Sequence, residues 1–341
     1  MEPRVIAPNL KRRLSGVTAT IARLVPLQAR DIAIVATGPG LPEGVPHMPM
    51  SKVITLPRKE VRVWHARRNS EMLLGLLLRT VLRKNLRLVF TSASQRKHTA
   101  YSKWLIGKMD ALIATSAKGA SYLAAEAQVV PHGINTDRFA PSPDRAALRA
   151  RLHLPDEVLV GCYGRIRSSK GTDNFVTAML AALPSRPGVT AVVMGRAVDS
   201  DRSFLEELKS RVTAAGLESR ILFRPEVTVD DMPDWYAALD LYVAPQRWEG
   251  FGLTPLEAMA SAVPVVATRT GAFEELVDQG TTGLLVPTDD VPALQAAIES
   301  LLDAPDVLHR MGPLARHRAE QHFRIETEAE ILNALYRRLL A

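Results

Sequence analysis

The chain has 341 residues, 47% of them hydrophobic, which suits two domains with packed cores and excludes a disordered or collagen-like polymer. A single cysteine, Cys162, rules out an intramolecular disulfide, fits a reducing cytoplasm and is poor zinc material without Cys or His neighbours. The net charge of +7 hides an asymmetry: residues 1–108 carry 20 Lys and Arg against 5 Asp and Glu, and the rest 23 against 31. By charge alone, the basic first third suits nucleic acid, a phosphorylated lipid surface or an acidic substrate.

The opening MEPRVIAPNLKRR has no secretory pattern. The greasiest window, MLLGLLLRTVL from Met72 to Leu82, is interrupted by Arg79 and falls short of the roughly 20 residues a bilayer span needs. A soluble chain is expected. Short apolar runs alternate with helical patterns throughout. VIAP, DIAIVAT, KVITL, VRVWH, LRLVFTS, ALIATS and AQVVPHG are the expected strands of the first half; VLVGCYG, TAVVMG, RILFRP, DLYVAP, PVVAT and GLLVP are those of the second. Runs apolar on both faces and separated by helices predict parallel sheets covered on both sides.

Three prolines surround a short helix in residues 140–157, which places a domain boundary there. The expected fold class is α/β: two doubly wound Rossmann-like domains, 1–145 and 146–341, facing a cleft. A last helix from about Glu326 to Leu340 ends the chain and could pack back on the first domain. Ligands of such sheets bind at strand C-termini and helix N-termini, so the strand-to-helix turns are the places to inspect.

EGFGLTPLEAMASAVPVV, Glu249 to Val266, puts two carboxylates around a Gly-Phe-Gly turn. Thr254-Pro255-Leu256-Glu257 reads as a capping box, which would make Glu257 a helix cap. Gly250 and Gly252 let the backbone approach a ligand, and amides there beside a helix start can hold an anion. Glu249, on the other lip, would repel phosphate and suits hydroxyl groups; the plain alternative is a surface glutamate. Gly164-Arg165-Ile166-Arg167-Ser168-Ser169-Lys170-Gly171 follows VLVGCYG with three cations and two glycines, a composition that suits a diphosphate. It lacks the order of a Walker loop, and a solvated basic loop is its plain alternative. Gly38-Pro39-Gly40 and Gly44 have the wrong spacing for a dinucleotide turn, and Pro39 and Pro42 remove amide donors. A diphosphate clamp facing hydroxyl-accepting carboxylates points to a nucleotide-sugar.

Glu249 and Glu257, eight residues apart around Gly-Phe-Gly, with Gly164-Arg165…Lys170-Gly171 and Val130-Pro131-His132-Gly133-Ile134-Asn135…Phe139, resemble a family 4 retaining glycosyltransferase of the GT-B fold. The resemblance covers essentially the whole chain and is strongest from about 110 to 290. It implies that Arg165 and Lys170 grip the donor diphosphate, that Glu257 takes the ribose hydroxyls, and that Glu249 takes sugar hydroxyls. The amides of Gly250, Phe251, Gly252 and Leu253 would lie beside sugar and phosphate. Arg13-Leu14-Ser15-Gly16-Val17 looks like the family's Gly-rich loop, with Ser15 where a first glycine is usual and Gly16 as the backbone donor.

His65, ending VRVWH, matches a family histidine near the reacting sugar; a buried structural histidine is the alternative. The next family histidine is replaced by Ser92-Ala93-Ser94, and His98 is a distant substitute. The resemblance implies front-face attack with retention, no protein nucleophile, no cofactor and no metal.

VIAPNLKRRLSGVTATI, VRVWHARRNSEMLL and FTSASQRKHTAYSKWL are similar to lipopolysaccharide-core mannosyltransferases of Gram-negative bacteria. That implies GDP-mannose as donor, Kdo on a lipid A precursor as acceptor, and a cytoplasmic enzyme peripheral at the inner face of an anionic membrane. Arg12, Arg13, Arg67, Arg68, Arg96, Lys97, His98 and Lys103 are the candidate acceptor contacts, with a solvated surface as the alternative. Another UDP- or GDP-sugar with a different acceptor stays open. A nucleic-acid-binding protein is disfavoured by the lack of interleaved aromatics or a reading motif.

Overall fold

The computed structural model describes residues 2–12 and 16–341. Arg13 and Ser15, both singled out above, lie outside the described residues. The chain divides into two compact units, one running to Gly133 and rejoined by Ile325–Ala341, the other Ile134–Arg324. The 145/146 junction expected from the prolines lies inside the second unit, within the helix Arg145–Arg151.

The first unit holds β1 (Val5–Pro8), β2 (Ile34–Thr37), β3 (Arg62–Ala66), β4 (Leu86–Ser92), β5 (Ala111–Ala114) and β6 (Gln128–Val129). They form a parallel sheet in the order β2-β1-β3-β4-β5-β6. Alternation along each strand feeds two cores. Val5, Ala7, Val63 and Val89 enter one cluster; Ile6, Trp64, Leu88 and Phe90 enter the other. The helix Ile325–Leu340 closes the first cluster with Ile325, Ala329, Leu332, Leu335 and Tyr336, spaced for one helical face. Glu326 and Glu328 in its first turn and Arg337 and Arg338 in its last complement the helix dipole.

KVITL, expected as a strand, is instead part of the helix Met50–Thr55. Parallel strands of one sheet need a crossover connection. This segment supplies one from β2 to β3, which flank β1, burying Val53 while Ile54 stays exposed. Position in the topology overrode its β-branched composition.

The second unit holds β7 (Val158–Tyr163), β8 (Val189–Met194), β9 (Ile221–Arg224), β10 (Leu241–Ala244), β11 (Val265–Thr268) and β12 (Gly283–Val286). Their order, β12-β11-β10-β7-β8-β9, is again all parallel. Strand order reverses at β7, which lies between β10 and β8. The loops leaving β7 and β10 therefore emerge side by side at the switch point, where open α/β sheets bind ligands.

Candidate functional sites at the strand ends

In the second unit, β7 runs into Gly164–Gly171 and β10 into Pro245–Leu253. The first loop winds into a short 3-10 turn, Ser168–Lys170, before the helix Thr172–Ala182. Gly171 has φ +68°, and a Cβ there would lie 1.9 Å from the Pro245 carbonyl oxygen, so only glycine lets the two loops press together. Arg247 fastens them. Its Nη1 and Nη2 donate to the two carboxylate oxygens of Asp173 at 2.7 and 2.9 Å, its Nε to Asp289 at 2.5 Å, and its Nη2 to Asn174 at 2.8 Å. Its backbone amide donates to the Ser169 carbonyl at 3.2 Å. These partners, Asp173 first, hold the guanidinium's pKa above its usual value.

Lys170 and Glu249 meet in this loop pair. The Lys170 ammonium is ion-paired with Glu249 Oε2, the side chains being 23% and 18% exposed. Glu249 Oε1 accepts from the Gly250 amide at 3.0 Å. Gly252, φ +89°, leaves room for this carboxylate: a Cβ there would lie 2.2 Å from the Phe273 ring and 2.9 Å from Glu249 Cγ. Arg165 is exposed and makes no ion pair among the described residues. A concavity bounded by Gly164, Arg165, Lys170, Thr172 and Gln246 opens beside them. Cations at its edge suit a phosphate, and Glu249 can accept hydroxyls once Lys170 turns to an anion. Cys162, also on the concavity, has its thiol pushed up to about 12, chiefly by burial, so it is no nucleophile.

The capping box is not formed. The helix Thr254–Ala260 has Thr254 as its first residue, Leu253 in the cap position and no side-chain cap bond. Glu257 is drawn elsewhere: the buried Tyr236 hydroxyl donates to its Oε2 at 2.8 Å. Phe251 packs its ring into the core and accepts at its carbonyl from the Ala272 amide at 3.0 Å. Leu253 packs on the same core. Sequence reasoning missed Gln246 and Arg247. The available signal was two polar residues between an apolar strand and Glu249. Gln246 is buried, and its Oε1 has no hydrogen-bond partner among the described residues.

In the first unit, His65 is 0% exposed. Its Nδ1 is hydrogen-bonded with the Tyr336 hydroxyl at 2.5 Å and its Nε2 with the Thr91 hydroxyl at 2.6 Å. Burial, then the charge of Arg67, lowers its pKa well below 6.5. Both nitrogens are thus engaged by neighbouring hydroxyls, Tyr336 coming from the far end of the chain.

The Arg68 side chain is 12% exposed, and its Nη1 donates to Glu71 Oε1 at 2.7 Å and to Asn9 Oδ1 at 3.0 Å. The Arg67 amide donates to Glu71 Oε2 at 2.8 Å, while the Arg67 side chain reaches the His65 carbonyl at 3.3 Å. Gly16 is exposed at the start of the helix Gly16–Gln28. Arg12, Arg96, Lys97 and Lys103 are exposed. His98 is partly buried, and its pKa is lowered by burial first, then by Arg96 and Lys103.

Residues 157–304 match the family described as glycosyl transferases group 1. Lipopolysaccharide core biosynthesis mannosyltransferase LpsB of Rhizobium meliloti (strain 1021) is 52% identical over 98% of this chain and 97% of its own length. The chain belongs to the group 1 glycosyltransferases. The lipopolysaccharide core biosynthesis mannosyltransferase LpcC of Rhizobium leguminosarum bv. viciae is 48% identical over 98% of this chain and 96% of its own. Among solved structures, Anabaena Alr3699/HepE in complex with UDP superimposes with a TM-score of 0.85, covering 97% of this chain and 99% of that one at 20% identity. That likeness shows the fold, GT-B, which agrees with the two parallel six-stranded sheets. The enzyme is a glycosyltransferase.

Proposed function

We propose that the enzyme transfers mannose from GDP-mannose to a Kdo-bearing lipid A precursor in lipopolysaccharide core synthesis. The observation that carries this reading is near-full-length likeness, at 52% and 48% identity, to two proteins named as lipopolysaccharide core mannosyltransferases. The basic balance of residues 1–108 supports an acceptor bearing carboxylates and phosphates. Arg67, Arg96 and Lys97, with His98 beside them, are the acceptor contacts of this reading, which places the enzyme at the inner face of the cytoplasmic membrane.

On the donor side, Arg165 and Lys170 take the diphosphate, Glu249 exchanges Lys170 for sugar hydroxyls, and Glu257 takes the ribose hydroxyls. The amides from Gly250 to Leu253 complete the second unit's donor contacts, and Gly16 is a further backbone donor of this reading. The acceptor oxygen bonds to the anomeric carbon on the face from which the bond to the GDP phosphate breaks. The departing phosphate oxygen takes the acceptor's proton, and the products are GDP and a glycoside of retained configuration. Arg165 and Lys170 stabilise the charge that develops on that phosphate.

The test offers GDP-mannose, other GDP-sugars and UDP-sugars, each with Kdo–lipid A or with a neutral oligosaccharide. Transfer from GDP-mannose to Kdo–lipid A, with the donor's anomer kept in the NMR spectrum of the product, is expected. Preference for a UDP-sugar would overturn the donor, and equal transfer to neutral acceptors would overturn the acceptor.

A further inference from the structure

Three tyrosines, Tyr163, Tyr236 and Tyr242, are buried together in the core of the second unit. The Tyr236 ring lies 5.2 Å from that of Tyr163, 5.4 Å from that of Tyr242 and 6.0 Å from that of Phe139, centroid to centroid. Packed on three sides by other rings, it has little room to turn. A buried hydroxyl needs a hydrogen-bond partner, and the three hydroxyls find different ones. Tyr163 donates to the Trp235 carbonyl and Tyr242 to the Tyr163 carbonyl, both at 3.1 Å, so these two serve the backbone. Tyr236 instead donates to a carboxylate oxygen, Glu257 Oε2, at 2.8 Å.

Burial first, then the charge of Glu257, holds the pKa of the Tyr236 hydroxyl well above its usual value. The phenol therefore keeps its proton and stays a donor at any physiological pH. Glu257 lies only partly buried, in the first turn of the helix Thr254–Ala260. A glutamate three residues after a threonine at a helix start tends to fold back on the amides there. The bond to Tyr236 draws Glu257 away from that course. Tyr236 reaches it from another element, the helix Met232–Ala237, which is fixed by its own buried Trp235, Tyr236 and Ala237.

We propose that Tyr236 is a positioning residue for nucleotide binding, its hydroxyl holding the Glu257 carboxylate where it accepts from the two neighbouring hydroxyls of the ribose. A carboxylate can accept at about four lone-pair sites, so a phenol on Oε2 is compatible with two further hydroxyl donors. A carboxylate already held by a fixed donor loses less freedom when the ribose arrives than one that must first leave its own helix. Tyr236 acts through Glu257 and not on the nucleotide itself. The inference rests on the ribose role given to Glu257 above, and adds the group that sets its geometry.

The experiment compares GDP with 2′,3′-dideoxy-GDP by calorimetry on the full chain. The two share base and diphosphate, and the second lacks both ribose hydroxyls. The unaltered protein should bind GDP about tenfold or more tighter, and Glu257→Gln should remove most of that preference. Tyr236→Phe keeps the ring in its packing and deletes only the hydroxyl. It should weaken GDP by about five- to tenfold and leave the dideoxy nucleotide unchanged. Both substitutions together should be no worse for GDP than Glu257→Gln alone, because one acts through the other. Tyr163→Phe also deletes a buried hydroxyl; it should lower the urea midpoint and keep the whole preference for GDP. If Tyr236→Phe weakened both nucleotides equally, or lowered the urea midpoint with the preference kept, its role would be structural and the proposal overturned. Additive losses in the double variant would overturn it too. A preference for GDP that survived Glu257→Gln would remove the ribose role of Glu257, and the proposal with it. That result is distinct from one in which Glu257→Gln abolishes the preference and Tyr236→Phe does not, which would sink the role of Tyr236 alone. A wrong sugar or acceptor would alter neither probe.

Discussion

At the end of β3, Arg68 turns inward to Glu71, whose side chain is 0% exposed, and to Asn9. At the ends of β7 and β10, Lys170 and Glu249 pair at a surface concavity, each about a fifth exposed. Both are cation–carboxylate pairs on strand-to-helix turns, yet their surroundings give them opposite work. A pair closed off from water is committed to the fold, because separating it strands a buried charge. A pair still open to water can exchange partners at little cost, because exposed ion pairs are worth about 0–1 kcal/mol. The second kind can give way to a ligand.

The largest effect should therefore come from breaking the inner pair. Among the described residues, Arg68→Ala leaves buried Glu71 with only the Arg67 amide on Oε2, and should destabilise the protein by about 3 kcal/mol or more in urea unfolding. Lys170→Ala should move the same midpoint little. A neutral Arg68→Ala that raised KM for the acceptor would return Arg68 to the surface role first expected of it.

For ligand binding the order should invert. Lys170→Ala should weaken free GDP by about 1.5–3 kcal/mol, the value of a charged hydrogen bond, when measured by calorimetry. Glu249→Gln removes the carboxylate that competes for the same ammonium. It should leave GDP affinity unchanged or tighten it by up to about 1 kcal/mol, while cutting turnover of the sugar donor. If Glu249→Gln weakened GDP as much as Lys170→Ala does, the exchange of partners would be wrong.

Arg247→Lys tests whether the open pair depends on its frame. A lysine keeps the charge but cannot span both Asp173 oxygens and Asn174, as the guanidinium does at 2.7, 2.9 and 2.8 Å. A loss of about 1 kcal/mol in GDP affinity is expected, with kcat at saturating donor nearly kept. Unchanged affinity with lowered stability would make Arg247 a brace for the fold alone.

The strands were legible because runs apolar on both faces have few alternatives, and the glycine-flanked donor loops because their chemistry is carried by neighbouring residues. KVITL was misread because its composition fits a strand while its place between β2 and β3 requires a crossover. Thr254 and Glu257 have the spacing of a capping box, and only the buried Tyr236 hydroxyl shows why the box does not close. Arg68 and His65 could not be placed from local sequence. Arg68 turns inward to Asn9, 59 residues away, as well as to Glu71, three residues away, and His65 turns inward to Tyr336, 271 residues away. Spacing reports what neighbours along the chain can do, and says little of a side chain whose partner arrives from another element.

The smallest effect expected concerns His65, and it appears only as pH falls. Burial, then Arg67, lowers its folded pKa well below 6.5, so the neutral ring is the form that packs between Tyr336 and Thr91. The unfolded chain, with a pKa of about 6.5, binds the proton first. Stability from this group is therefore complete above about pH 6.5. It falls as the pH drops towards the folded pKa, by at most about 1.4 kcal/mol per pH unit for one proton. His65→Gln keeps polar atoms for both partners and removes the titration. His98, whose pKa is also lowered, contributes the same slope to both proteins and cancels in the difference. Urea midpoints of the two proteins should run parallel from pH 8 to 7 and converge, or cross, between pH 6.5 and 5. Transfer activity at pH 8 should survive the substitution largely intact if His65 only positions its neighbours. Parallel midpoints throughout, with activity lost at pH 8, would mean that the imidazole is open to solvent and meets the sugar after all.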